Sequence, residues 1–174
     1  MIIRPAVPGD LEAITDIYRH HVLNGFGTFE EVPPDSGEMA TRMAGVEALG
    51  LPYLVADDGQ VLGYAYAAPF RTRAAYRFTV EDSIYVSAGQ VGRGVGKALL
   101  GRVIEICRDK GLQQMMAVIG DSDNAASISL HKSMGFEHTG LSPAVGFKFG
   151  RWIDVVWMQI ALSAGGAAKM SPIG

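Results

Sequence analysis

Gln90-Val91-Gly92-Arg93-Gly94-Val95-Gly96-Lys97, followed at once by Ala98-Leu99-Leu100, is the stretch that decides how this chain is read. It lies between an apolar strand pattern, Phe78–Val86, and the clearest helical pattern in the chain. In that helix, predicted over Val95–Asp109, the residues Val95, Leu99, Val103 and Ile106 keep one face. Glycines at such a junction let the backbone approach an anion, and the helix start adds unpaired N–H groups and the positive end of its dipole. In physical terms this is a cradle for a pyrophosphate. Two phosphate loops do not fit it. A P-loop needs Gly-x4-Gly-Lys and then Ser or Thr, but Val91 stands at the first glycine and Ala98 follows the lysine. The dinucleotide fingerprint would need glycine at Lys97, and it belongs beside a first strand, whereas this loop is mid-chain. An acyl-CoA loop and a plain turn joining strand to helix both remain open on these residues.

Upstream, Ile2-Ile3-Arg4 begins a strand that Pro5 and Pro8 stop, and Asp10 can cap a helix carrying Leu11, Ile14, Ile17 and Tyr18. Gly25 to Gly37 reads as loop, with Pro33-Pro34 forbidding regular structure. Ser36 can cap a second helix, which holds Met39, Met43 and Val46 and ends at Gly50. The runs Tyr53–Ala56 and Val61–Ala68 flank the hairpin signal Asp57-Asp58-Gly59. Downstream, Gly111 sits where a C-cap belongs. Met115–Ile119 is a predicted strand, Ala125–Met134 a helix and Val155–Leu162 a strand. Helices alternate with strands in the second half, which favours an α/β (α+β) domain with a partly parallel sheet over residues 1–162. Residues 163–174 are expected to form a loose tail.

Composition narrows the function. The chain has 174 residues, 48% of them hydrophobic and 19% charged, which suits one globular domain. Its net charge of −3 offers no general attraction to nucleic acid or to an anionic membrane. No run approaches a membrane span, and MIIRPAVPGD lacks the apolar core of a signal peptide. The single cysteine, Cys107, suits a reducing, cytoplasmic compartment, and it reads as packing on the apolar face of its helix. Metal binding is not expected. Adjacent His20 and His21 diverge on a helix, His138 has no ligand at metal spacing, and Ala125-Ala126 break a calcium-loop series begun by Asp121-Ser122-Asp123.

Five ordered segments then resolve the open loop. Tyr85-Val86-Ser87 with Gly92–Leu100 resembles the cofactor motif of the GNAT family of N-acetyltransferases. Asn124-Ala125-Ala126-Ser127 with Leu130-His131-Lys132-Ser133-Met134-Gly135-Phe136 resembles that family's second signature. Pro69-Phe70-Arg71-Thr72-Arg73, Thr79-Val80-Glu81-Asp82-Ser83 and Lys148-Phe149-Gly150-Arg151-Trp152-Ile153-Asp154 are similar to its phosphinothricin and methionine sulfoximine acetyltransferase branch. The first loop position, usually Gln or Arg, is Val91 here.

The resemblance implies a GNAT fold: a mixed central sheet with helices on both faces, splayed at the cofactor strand near Tyr85 and Val86. It implies transfer of acetyl from acetyl-CoA to the primary amine of a small amino-acid-like substrate such as phosphinothricin, methionine sulfoximine or methionine sulfone. Ile84, Tyr85, Val86, Gly92, Arg93, Gly94, Val95, Gly96, Lys97, Asn124 and Ser133 would hold the cofactor. Arg71, Thr72, Arg73, Glu81, Asp82 and Ser83 would line the acceptor pocket. Glu81 would be the general base, and His131, where many relatives have tyrosine, would assist the departing thiolate or pack beneath the cofactor. The family's dimers imply a homodimer. Phe147, Phe149, Trp152 and Trp157 fit a substrate wall, a dimer contact or core. A peptide or protein N-terminal acetyltransferase of the same fold, and an acyl-CoA sensor without transfer, are the alternatives.

A base has clear chemical work to do. Amines with pKa values from about 7.7 to about 10.4 are between roughly a sixth and less than a thousandth free base at pH 7. A carboxylate within reach removes much of that handicap.

Overall fold

The computed structural model describes residues 1–163. Of the expected tail, all but Ser163 lies outside the described residues. Seven strands make one mixed sheet: β1 (Ile2–Pro5), β2 (Tyr53–Asp57), β3 (Val61–Pro69), β4 (Thr79–Val86), β5 (Gln114–Gly120), β6 (Glu137–Lys148) and β7 (Arg151–Ala161). Their spatial order is β1-β2-β3-β4-β5-β7-β6, and only the β4–β5 pair is parallel. Four helices accompany them: α1 (Leu11–Asn24), α2 (Ser36–Ala48), α3 (Val95–Asp109) and α4 (Ala125–Ser133).

Each face of the sheet has its own core, because strand residues alternate sides. Leu99, Val103, Ile104 and Cys107 of α3 pack on Ala65, Val80, Met115 and Met158. Ile14, Ile17 and Val22 of α1 and Met39 of α2 pack on Tyr53, Val55, Tyr64 and Tyr85. Helix α3 spans the predicted residues, and Gly111 leaves it at φ +76°. The β2–β3 hairpin turns at Gly59, φ +83°.

Four local readings change. Asp10 precedes α1, but its carboxylate takes the Arg4 guanidinium (2.7 and 2.8 Å) and the Val7 N–H (2.8 Å), so it makes no cap bond to the helix. Asp35 caps α2, accepting the Glu38 N–H at 2.8 Å, and Ser36 is already helical. Strand β7 begins at Arg151, four residues before the expected start. Strand β6 was not anticipated. Gly140, Pro143 and Gly146 interrupt its pattern, and its pairing with β7 slips at 138–140 and again at 142–146.

The feature that builds the site is a fork. Strands β4 and β5 pair only at Thr79–Gln114, Val80–Met115 and Glu81–Met116. Beyond that, 82–86 stays with β3 and 117–120 stays with β7. The sheet therefore opens directly after Glu81, and the gap widens past Tyr85 and Val86.

Candidate active site

The fork leads into a cleft of about 840 Å³, bordered by β4, the 90–97 loop, the end of β5 and α4. Gly92 and Gly94 both sit at φ +81°, a backbone conformation that L side chains rarely adopt. A Cβ on either would meet nothing within 4 Å, so the space above the loop is open. Gly94 is the N-cap of α3, and no side chain caps it. The first helical bond runs from the Ala98 N–H to the Gly94 carbonyl at 3.0 Å. The N–H groups of Val95, Gly96 and Lys97 are thus left for a ligand at the positive end of the helix. A pyrophosphate fits this donor set. Val91 is exposed and Gln90 is hydrogen-bonded to Arg93, so neither side chain substitutes for those donors.

On the opposite wall, Asn124 caps α4 by accepting the Ser127 N–H at 3.2 Å, and Ser133 donates to the Leu130 carbonyl at 2.8 Å. Both residues border the cleft, as do Ile84, Tyr85 and Val86.

Glu81 stands at the crotch of the fork, at the last paired position of β4. Burial and the neighbouring Asp82 carboxylate raise its pKa above the ordinary 4.5, and Arg71 opposes them. A carboxylate made more basic in this way is a stronger proton acceptor.

Asp82 does not share that role. Alternation turns it to the other face of β4, where it is buried 3.0 Å from Nε2 of His131, which is also buried. Nδ1 of His131 lies 2.8 Å from the Ser127 carbonyl. A carbonyl can only accept, so Nδ1 carries a proton, and a second proton sits between Nε2 and the carboxylate. Burial alone would depress the imidazole. The hydrogen bond and charge of Asp82, with the Ser127 carbonyl, outweigh it and raise the pKa above 6.5. His131 is therefore held in a buried pair that favours its protonated form, bordering the cleft with both ring nitrogens engaged. Among the described residues, Asp82 Oδ1 has no hydrogen-bond partner.

Arg71, Thr72 and Arg73 are exposed in the loop after β3 and do not border the cleft of the single chain. Arg71 lies over the Phe70 ring at 4.2 Å, and neither arginine is paired with a carboxylate among the described residues. Ser83 does border the cleft.

Sequence reasoning missed the segment that roofs the fork. His21 Nε2 donates to the Val86 carbonyl at 2.9 Å, and Gly25, Phe26 and Gly27 then pass along the cleft toward the end of β5. The Gly25-x-Gly27 spacing was its one local signal.

Cys107 is fully buried, and burial pushes its thiol pKa up to about 12, so it packs and does not react. Among the described residues no three His, Cys, Asp or Glu side chains gather as a metal set, and no helix is long and apolar enough to cross a membrane.

An uncapped helix start with free N–H groups and a carboxylate of raised pKa thus border one forked cleft. Residues 3–157 match the model of the acetyltransferase (GNAT) domain. The chain belongs to the GNAT family. Phosphinothricin N-acetyltransferase of Alcaligenes faecalis is 53% identical to this acetyltransferase over 94% of the chain and 83% of the relative. The L-methionine sulfoximine/L-methionine sulfone acetyltransferase of Salmonella typhimurium is 42% identical over 93% and 95%. The crystal structure of a GNAT phosphinothricin acetyltransferase from Sinorhizobium meliloti, in complex with acetyl-CoA, superposes with a TM-score of 0.90. It is 47% identical and the match covers 97% of this chain and 96% of that one.

Proposed function

We propose that this acetyltransferase N-acetylates a small α-amino acid of the phosphinothricin, methionine sulfoximine or methionine sulfone type. The observation that carries the reading is Glu81, a half-buried carboxylate of raised pKa at the crotch of the fork. Acetyl-CoA, when bound, supplies the acetyl group as a thioester. Gly92 to Lys97 would take its pyrophosphate through backbone N–H groups, and Ile84 to Val86, Asn124 and Ser133 would flank its arm. Glu81 removes a proton from the acceptor ammonium, directly or through water, and leaves a neutral amine to attack. His131 contributes as a fixed positive charge near the departing thiolate, because neither ring nitrogen is free to turn toward it. That role is electrostatic, and it replaces proton donation to the sulfur.

The cofactor assignment has a simple check. Gly94→Val places a branched residue at φ +81° over the pyrophosphate space, and acetyl-CoA affinity measured by calorimetry should fall by tenfold or more, roughly one lost charge-assisted contact. Unchanged affinity in a folded variant would move the cofactor off this loop.

The acceptor's acid group is assigned to the unpaired arginines Arg71 and Arg73, because a guanidinium fork matches a carboxylate. Arg71 also lies near enough to Glu81 for its charge to oppose the rise in the carboxyl pKa, although it does not border the cleft of the single chain. The enzyme should therefore turn over the amino acid about one to two decades better than its amide, the effect of losing a charge-assisted hydrogen bond. Thiol release from acetyl-CoA over a panel of amines measures this. Equal rates for acid and amide would favour a peptide N-terminus as acceptor, and binding without thiol release from any amine would favour a sensor.

A homodimer completes the reading. Leu141, Val145, Phe147 and Trp152, all on β6 and β7, are exposed, and Trp152 is 67% accessible. Light scattering should give twice the 18.6 kDa chain mass. The single buried cysteine agrees with a cytoplasmic setting.

A further inference from the structure

Lys148 has the charge that the chemistry above does not use. It lies at the end of β6 and is fully buried, and although Glu30 and Glu31 lie near enough to act on its charge, it forms no ion pair with a carboxylate among the described residues. Nζ donates instead to two backbone carbonyls of the α1–α2 connection, Gly25 at 2.7 Å and Thr28 at 2.8 Å. These carbonyls bracket Phe26 and Gly27, which border the cleft.

A second anchor fixes the same segment. The Phe29 ring lies against Gly120 of β5 and Gly146 of β6, where any Cβ would run into it. Gly120 also faces the Phe26 carbonyl so closely that no side chain fits between them. Arg151 stacks on Phe26 at 4.3 Å from ring to guanidinium. Residues 21–29 thus run from β4, through the His21–Val86 bond, to β5, and span the gap where the two strands part.

We propose that Lys148 is a positioning residue for acceptor recognition: it clamps residues 25–28 across the open end of the fork, so that this segment forms a fixed wall of the cleft that Glu81 also borders. The inference rests on the acetyltransferase reading for its kinetic consequence, but the clamp itself is a property of the free protein. A buried ammonium is costly unless it is hydrogen-bonded, and two main-chain carbonyls in one short loop are partners that only a fixed loop provides. Lys148 makes its hydrogen bonds to residues 25 and 28 and none to the phosphate loop, so the cofactor should sense its loss less than the acceptor does.

Lys148→Met keeps the side-chain length and removes the donors. Hydrogen exchange in the free protein should then speed up at residues 25–29 and stay unchanged in α3. The acceptor KM should rise by about ten- to a hundredfold, the size of losing hydrogen bonds to a charged group, with a smaller change in kcat and acetyl-CoA affinity within about twofold. If the methionine variant does not fold, Phe29→Ala, at a partly exposed position, loosens the other anchor and decides by the same readings. Unaltered exchange at 25–29, or acetyl-CoA affinity falling together with acceptor binding, would overturn the clamp. A wild-type protein that acetylates none of the amines would instead overturn the acetyltransferase substrate reading, and the exchange result would still stand.

Discussion

Glu81→Gln lowers kcat/KM for the amine by about 10²–10⁴, the range that a positioned general base supplies. The loss is largest at low pH and shrinks as pH rises, because the acceptor then provides its own free base. In the unmodified enzyme the acid limb of the pH profile lies above the ordinary carboxylate value of 4.5, since burial and Asp82 raise the Glu81 pKa. The same shift predicts a stability change of opposite direction. A carboxyl whose folded pKa is raised binds its proton more tightly than the unfolded chain does, so stability falls as pH rises through that window. Removing the charge at pH 7 relieves this cost, and Glu81→Gln should melt at the same temperature as the parent or higher. Rate profiles from pH 5.5 to 9.5, with melting curves at pH 7, decide it. A loss of rate that is uniform across pH would make Glu81 a substrate-positioning residue.

Asp82→Ala is the second large effect, and it falls on stability. Truncating one member of the buried Asp82–His131 pair should cost about 3 kcal/mol, near the lower end for a broken buried pair, because imidazole can shed its charge. The sign of its pH dependence follows from the raised His131 pKa. The pair's contribution is fully present below 6.5 and is lost as pH rises through the folded value. Urea unfolding should show a larger gap between parent and variant at pH 6 than at pH 9. Asp82→Asn, which can still hydrogen-bond a neutral imidazole, should lose much less. An equal gap at both pH values would mean that the pair carries no charge.

The two residues are neighbours in sequence, yet they have different work, and a residue list alone gives them the same role. The resemblance makes Glu81–Ser83 one acceptor-lining segment, but a strand sends alternate side chains to opposite faces. Glu81 accordingly meets the fork and Asp82 meets α4. The aromatic residues of the β6–β7 region show a related effect. Phe147, Phe149 and Trp152 look like core by composition, but they are exposed: the face that Phe147 and Trp152 take depends on strand register, and Phe149 lies in the turn between β6 and β7. Strand β6 itself escaped notice because its glycines, proline and register slips remove the alternation that marks a strand.

The features legible in the residues alone are local. Helical periodicity bounded α3 residue for residue, the glycines of 92–96 marked the open backbone at its start, and a resemblance over five segments pointed to Glu81 and His131 as site candidates. These signals rest on near neighbours, so no fold is needed to read them. Tertiary structure alone decided the rest. The fork opens after Glu81 because the β4–β5 pairing ends there, while β4 stays with β3 and β5 stays with β7. His131 finds Asp82 across 49 positions, and Lys148 reaches the Gly25 carbonyl across 123. A buried charge is stable only where the folded chain brings its partner to it, and such partners leave no periodic trace in the sequence.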